Sequence, residues 1–400
     1  MHLATEAQIK EGQVTDVYFL RTQHILRAKR LNKHVCAEFV VKRLPPGYVF
    51  GVLAGLEEAV EVLLTIPGIE VEAMEEGTVF GPYQPILTVR GRYLDFGLFE
   101  TALLGLLCQA SGIATRAARC RRAAGRRLVL SFGARRVHPA IAPMVERAAY
   151  LGGCDGVSVV ESAKQLGIQP TGTIPHALVL LMGDAAWAVK AFDEVIPRSV
   201  KRVALIDTIG DEKFEALACA EALGDKLFAV RLDTPASRRG DLAELLREVR
   251  WELDLRGHRA VKLLVSGGMD EAQISLLNDC CDGYGVGTAL SNAPVLDLAM
   301  DIVEIDGRPM AKRGKPSGRK QVWRCPACQA TVVAPWGTAR PKPLCRCRKP
   351  YQALLTPLVR NKTLLRPLPS PHRIRARVMK QLRAWGSHTP IARQRSEATQ

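Results

Sequence analysis

A chain of 400 residues with 47% hydrophobic composition can bury a large core, which excludes wholesale disorder and suggests two or three domains. Its formal charge of +16 is unevenly spread: residues 301–400 hold 22 Lys and Arg against Asp301, Glu304, Asp306 and Glu397, so the basicity belongs to the tail. No apolar run approaches the roughly 20 residues that span a bilayer, since Asp95 and Glu100 interrupt Leu94 to Ala114, and MHLATEAQIKEG has no apolar signal core; a cytoplasmic protein is expected.

In chain order, GQVTDVYFLRTQHIL opens with Thr15 or Asp16 as candidate caps of a short helix carrying Tyr18 and Phe19. AEFVVKRLP reads as a strand. LEEAVEVLLTIPG reads as an amphipathic helix ended by Pro67 and Gly68, and EVEAMEEGTVFGPYQPILTVRGRY as broken strands. Leu98 to Ala124 has strong helical spacing. These segments predict an N-terminal α+β domain over 1–116, with return strands from about 293–322 and a hairpin at Asp306 and Gly307.

From Leu128 to Asn292 one pattern occurs seven times: a short β-branched run ends in polar or glycine residues, and a helical segment follows. The runs are LVLSFGARR, DGVSVVESAK, TGTIPHAL, VALIDTIGDE, LFAVRLDTP, VKLLVSGGMDE and DGYGVGTALSN. Short wholly apolar runs spaced by helices read as parallel strands buried on both faces. The fold class is therefore α/β, an irregular α/β barrel over 117–292 beside the N-terminal α+β domain. Reactive side chains of such barrels collect at the C-terminal ends of the strands. The endings here carry Arg135, Arg136, His138, Asp155, His176, Asp207, Arg231 and Asp233.

SGGMDE and GVGTALSN place Gly267, Gly268, Gly287 and Thr288 directly after the last two strands. Backbone N–H groups there can converge on a phosphate without side-chain obstruction, although glycine also serves ordinary turns. Arg135 and Arg136 suit bidentate contact with a carboxylate or phosphate. Asp207 and Asp233 suit Mg²⁺ or sugar hydroxyls, or else these charges pair with one another. His176 is either a nucleophile or base or an ordinary hydrogen-bonded histidine, and the residues alone do not choose.

Of eleven cysteines, seven are scattered as core-filling singles. Cys325, Cys328, Cys345 and Cys347 instead form C-x₂-C and C-x-C pairs sixteen residues apart. Four thiolates in two close pairs suit a structural tetrahedral Zn²⁺, giving a small zinc-binding domain over 323–366. The tail, 367–400, is basic and proline-containing; RIRARVMKQLRAWG reads as one isolated helix among poorly ordered neighbours.

Taken together, TDVYFLRT, SFGARRVHP, GTIPHAL, LIDTIGDEK, VRLDTPASRRGD and GVGTALSN resemble nicotinate phosphoribosyltransferase, in the branch with a C-terminal cysteine zinc motif. The resemblance covers roughly residues 14–350. It implies a type II phosphoribosyltransferase fold, a dimer with shared active sites, and formation of nicotinate mononucleotide and pyrophosphate from nicotinate and phosphoribosyl pyrophosphate with Mg²⁺, coupled to ATP hydrolysis in many members. Phe132 and the Tyr18 of a second copy would stack on the pyridine ring, and Asp16 would belong to the same substrate-binding end. Arg135 would meet the substrate, and Arg231 and Asp233 the donor. Asp155 and Asp207 match acidic positions, and the glycine loops would hold the 5-phosphate. His176 matches a histidine phosphorylated by ATP, but the acidic neighbour found in relatives is replaced by Pro175 and Ala177, which leaves ATP coupling open.

Quinolinate and nicotinamide remain alternative substrates, a dicarboxylate calling for a denser basic cluster. A zinc-containing nucleic-acid-binding protein on an enzyme scaffold is the reading of another class. It ranks lower because the tail lacks the interleaved aromatics of a base-stacking surface. No membrane partner is expected.

Overall fold

The computed structural model describes residues 2–235, 237–238, 240–338 and 344–386, and the chain forms two compact units. One comprises Arg116–Ala293, the other Met1–Thr115 with Pro294 onward.

In the first unit six short strands form a single parallel sheet. Its spatial order is Gly156–Val157, Leu128–Ser131, Gly283–Val286, Lys262–Val265, Leu227–Leu232, Arg202–Leu205. Every pair in it is parallel. Residues such as Val129, Ala204, Val230, Leu263 and Val286 are wholly buried, which is what runs of β-branched and aliphatic residues without polar alternation require. Six strands form where seven runs suggested them. The third run, TGTIP, is irregular: Thr171 donates its N–H to the Val157 carbonyl at 2.8 Å, and the segment then enters the helix His176–Met182. Pro170 and Pro175 bracket this run and withhold N–H donors, so it lies at the open side of a half-barrel.

The second unit is built on a seven-stranded antiparallel sheet, in the order Arg308–Pro309, Leu298–Ile305, His34–Val41, Leu87–Arg92, Glu70–Ala73, Thr356–Arg360, Thr363–Leu364. The hairpin at Asp306 and Gly307 forms with both residues at positive φ, 49° and 77°, the backbone of a tight two-residue turn. The helix Leu56–Leu63 packs its apolar residues into this core; it stops at Leu63, one turn before Pro67.

Two expectations fail in this unit. Asp95 and Glu100 do not break the apolar segment: helical structure runs from Tyr93 to Ala124, long and apolar enough to cross a membrane by composition. Half of its most apolar window is buried, and Thr115 Oγ1 accepts the Val52 N–H at 2.8 Å while Ser111 Oγ bridges the Ala54 N–H and carbonyl. A helix clamped in this way to neighbouring backbone is a core helix. The helix Pro371–Gly386 is not isolated either. Ile374 and Val378 are wholly buried and Leu382 nearly so, an i, i+4, i+8 stripe. Gln381 seals the contact, accepting from Val79 N–H at 3.0 Å and donating to the Gly77 carbonyl at 2.8 Å. Residues 387–400 of the expected disordered tail lie outside the described residues.

Candidate active site

Parallel strands present their carboxyl ends together, and here those ends carry a single hydrogen-bonded cluster. Arg231, the penultimate residue of Leu227–Leu232, is its centre. Its Nε donates to Ser266 Oγ at 2.9 Å, one terminal nitrogen donates to Thr173 Oγ1, and the other pairs with Asp233 Oδ2 at 3.0 Å. Ser266 Oγ in turn donates to Asp233 Oδ1 at 2.9 Å. Asp233 is thus held from two sides, its orientation fixed before any ligand arrives.

Asp207, two residues beyond Arg202–Leu205, accepts the Asp233 N–H at 2.9 Å through Oδ2. Its Oδ1 is buried without a hydrogen-bond partner among the described residues. Burial pushes the Asp207 carboxyl above the usual aspartate range, with nearby His176 opposing that shift. His176 starts its helix half-exposed, with Nδ1 3.0 Å from Thr208 Oγ1 and Nε2 3.7 Å from Asp233 Oδ2. The loop after Asp207 is stiffened by Glu215, whose carboxylate accepts the N–H groups of Ile209 at 3.2 Å and Gly210 at 2.7 Å.

Phe132 follows Leu128–Ser131, and its N–H continues the ladder to the Val286 carbonyl at 2.9 Å. Its ring lies over Gly285, where a Cβ would come within 2.4 Å of Cδ2, so only glycine leaves room for it. The Arg231 guanidinium carbon stands 5.6 Å from the centroid of the same ring. Gly267 and Gly268 both have positive φ, 78° and 71°, and carry the chain around Asp233: a Cβ on Gly267 would lie 3.1 Å from Asp233 Oδ1. Gly287 and Thr288 sit after the adjacent strand.

The cluster therefore gathers Phe132, His176, Asp207, Arg231, Asp233 and the loop beginning at Ser266. Arg135 is exposed on the single turn Ala134–Arg136 of the Phe132 loop, and its side chain makes no hydrogen bond or ion pair with the cluster among the described residues. Asp155 is a correction. It precedes its strand instead of following it, so it lies at the opposite end of the sheet, where it pairs with nearly buried Arg121 and accepts the Val129 N–H at 2.9 Å. Tyr18 and Asp16 belong to the other unit. Tyr18 is 55% exposed on the helix Val17–Ala28. Asp16 stands at the N-terminus of that helix without capping it, because its carboxylate accepts from Thr101 Oγ1 at 2.8 Å. Thr173, Thr208 and Ser266 were not singled out from the sequence. All three lay within quoted motifs, TGTIPHAL, VALIDTIGDE and SGGMDE, but none was given a role there.

In the second unit, Cys325, Cys328, Cys345 and Cys347 bring their sulfurs within 4.8 Å of one another. A Zn–S length near 2.3 Å places tetrahedral sulfurs about 3.8 Å apart, so the group has the size to hold a metal ion. Cys325 and Cys345 are buried against Tyr351 and Trp323.

The chain matches the quinolinate phosphoribosyl transferase N-terminal domain over residues 16–111 and the C-terminal domain over 113–301. Nicotinate phosphoribosyltransferase pncB1 of Mycobacterium tuberculosis is 30% identical over an alignment covering 87% of this chain and 86% of that protein. The crystal structure of nicotinate-nucleotide pyrophosphorylase from Pyrococcus furiosus superposes with a TM-score of 0.94 at 49% identity, covering 97% of this chain and 99% of that one. Human nicotinic acid phosphoribosyltransferase shares the fold, with a TM-score of 0.73 at 21% identity over 93% and 94% of the two chains. With a parallel half-barrel whose strand ends bear this cluster, and with relatives aligned along most of its length, the chain belongs to the nicotinate phosphoribosyltransferase family of phosphoribosyltransferase enzymes.

Proposed function

We propose that this enzyme transfers the phosphoribosyl group of phosphoribosyl pyrophosphate to the ring nitrogen of nicotinate, releasing pyrophosphate and forming nicotinate mononucleotide for NAD salvage. The observation that carries this reading is the Arg231 cluster: a cation fixed beside an aromatic face and a pair of carboxylates, at the strand ends of a chain from this family. Phe132 offers a stacking surface for a flat pyridine. Arg135 supplies an uncommitted cation on the same loop for the nicotinate carboxylate.

Departure of pyrophosphate leaves positive charge on the ribose carbon. Asp207 and Asp233, preorganised by the Asp233 N–H, Arg231 and Ser266, are suited to holding the ribose hydroxyls while that charge develops. The buried, unpartnered Asp207 oxygen also suits Mg²⁺, which would neutralise the departing pyrophosphate. Asp233 already has both oxygens engaged. The loops at Gly267, Gly268, Gly287 and Thr288 would take the 5-phosphate. Tyr18 and Asp16 would reach the ring from a second copy, making a homodimer with shared sites. His176 would accept the terminal phosphoryl group of ATP on a ring nitrogen as ADP leaves. The carboxylate missing beside it in the sequence is supplied in space by Asp233. The four cysteines would hold a structural Zn²⁺. A cytoplasmic location accords with this metabolic role.

Quinolinate is the second reading, favoured by the name of the matching domains. A dicarboxylate needs another cation, which Arg136 beside Arg135 would have to supply. The test is pyrophosphate release from phosphoribosyl pyrophosphate and Mg²⁺ with nicotinate, nicotinamide or quinolinate, each with and without ATP. Turnover of nicotinate, stimulated by ATP and without carbon dioxide release, is expected. Turnover of quinolinate alone, with carbon dioxide, would replace this reading by the second.

A further inference from the structure

We propose that a second cavity, at the N-terminal end of the parallel sheet, is a binding site for a ribonucleoside phosphate. The proposal is independent of the substrate assigned above. The cavity, about 580 Å³, lies between the turn after Glu100–Ala124, the helix Leu242–Leu255 and the loop leading into Gly283–Val286. Cavities of roughly 300–1,000 Å³ take molecules of this size. A strand of four residues rising about 3.3 Å each separates this end of the sheet from the Arg231 cluster by about 13 Å, so the two sites are distinct.

Its walls are held by committed groups. Arg127 Nε donates to the Cys281 carbonyl at 3.0 Å. Arg250 donates to the His258 carbonyl at 2.9 Å and to the Val261 carbonyl, and pairs with Asp254 at 2.7 Å. Asp282 turns its carboxylate onto the Leu263 N–H at 2.9 Å. Asn278 donates to the Ala123 carbonyl at 2.6 Å and accepts from the Tyr284 hydroxyl at 2.9 Å. These bonds hold the walls in place and leave a pre-shaped rim.

Four lining groups stay available. Arg126 and Asp279 make no ion pair or hydrogen bond among the described residues. Among the described residues Arg247 pairs only with exposed Glu244, one turn away on its own helix. Trp251, on the same helix, leaves 69% of its surface in water. Each has a chemical complement in one molecule. An indole face takes a nucleobase by stacking, two guanidiniums take a phosphate, and an unpaired carboxylate takes a ribose diol. Inorganic phosphate would leave Trp251 and Asp279 unused, and an uncharged aromatic would leave the arginines unused. Four arginines against three aspartates in the lining also favour an anion.

The test is calorimetric titration of the full-length protein with AMP, adenosine and inorganic phosphate. Trp251→Ala, the double variant Arg126→Ala with Arg247→Ala, and Arg231→Ala at the catalytic end are titrated alongside, with melting temperatures to confirm folding. AMP is expected to bind saturably, adenosine and phosphate at least 10-fold more weakly. Trp251→Ala and the double arginine variant should each weaken AMP by 10-fold or more, with Arg231→Ala unchanged. Hydrogen exchange should slow in residues 126–128 and 278–283. Absence of AMP binding would overturn the proposal. So would phosphate binding as tightly as AMP, or AMP binding lost in Arg231→Ala and retained in Trp251→Ala.

Discussion

Asp207 reaches from its own strand to the next, its Oδ2 accepting the backbone N–H of Asp233 at 2.9 Å while its Oδ1 stays buried without a partner among the described residues. The bond sets the direction of the chain at the point where Asp233 meets Arg231, so one carboxylate orients another through the backbone. Because burial raises the Asp207 carboxyl above the usual aspartate range, its ionised form is lost, as pH falls, sooner than that of an ordinary aspartate. If that form is required, kcat/KM falls on the acid side at a pH where exposed aspartates are still charged. Asp207→Asn keeps an oxygen for the Asp233 N–H but removes the charge. It should lower kcat/KM by about 100-fold and flatten the acid limb. Pyrophosphate release measured from pH 4 to 9 checks this, and an unaltered acid limb assigns it to another group.

His176 has its two ring nitrogens directed at different partners, Thr208 and Asp233. His176→Ala should abolish ATP stimulation while sparing some transfer activity. Thr208→Val removes the Nδ1 partner and frees the ring to turn, so ATP stimulation should drop by roughly 10-fold, as for loss of an orienting partner, whereas Thr208→Ser should retain it. Turnover with and without ATP checks all three, and ATP dependence unchanged in His176→Ala removes the histidine from the mechanism.

Asp155 answers a different question. Its partner Arg121 is 5% exposed and also donates to the Gly153 carbonyl at 3.0 Å and the Arg127 carbonyl at 2.7 Å. Asp155→Ala leaves that guanidinium without its counter-charge, a loss of about 3 kcal/mol, or roughly 6–12 °C in melting temperature for a unit of this size. The Michaelis constants of the folded enzyme should not change. A raised constant for either substrate, with an unchanged melting temperature, would return Asp155 to the substrate site.

The contrast between Asp155 and Asp207 shows what the sequence could carry. Short β-branched runs exposed the sheet, because burial on both faces leaves a contiguous apolar signature, and the residues after those runs became the site. Asp155 opens its run whereas Asp207 closes one, so the order along the chain already separated them, and the two lie at opposite ends of the sheet. The TGTIP run mimicked a strand although its flanking prolines reduce its capacity to join one. Thr173, Thr208 and Ser266 were illegible because hydroxyls have no spacing that marks them; only folding brings them onto Arg231, His176 and Asp233. In the helix Pro371–Gly386 the apolar stripe of Ile374, Val378 and Leu382 was present all along, hidden by the basic residues between them.

Glu100 offers a test in the antiparallel unit. It lines a cavity of about 450 Å³ with Tyr93, Met300 and Asp301. Burial, then the neighbouring charges of Asp301 and Asp16, push its carboxyl from 4.5 up to about 7. Between those two values the folded state holds a proton that the unfolded chain has released. Stability therefore falls as pH rises through this window, and the full cost is present above it. For a partly exposed group that cost is discounted to about 1 kcal/mol. Glu100→Gln removes the charge, so it should raise the melting temperature by about 2–4 °C at pH 8 and leave it unchanged at pH 4. Thermal unfolding at the two pH values checks the difference, and an equal effect at both would mean that packing rather than ionisation governs this position.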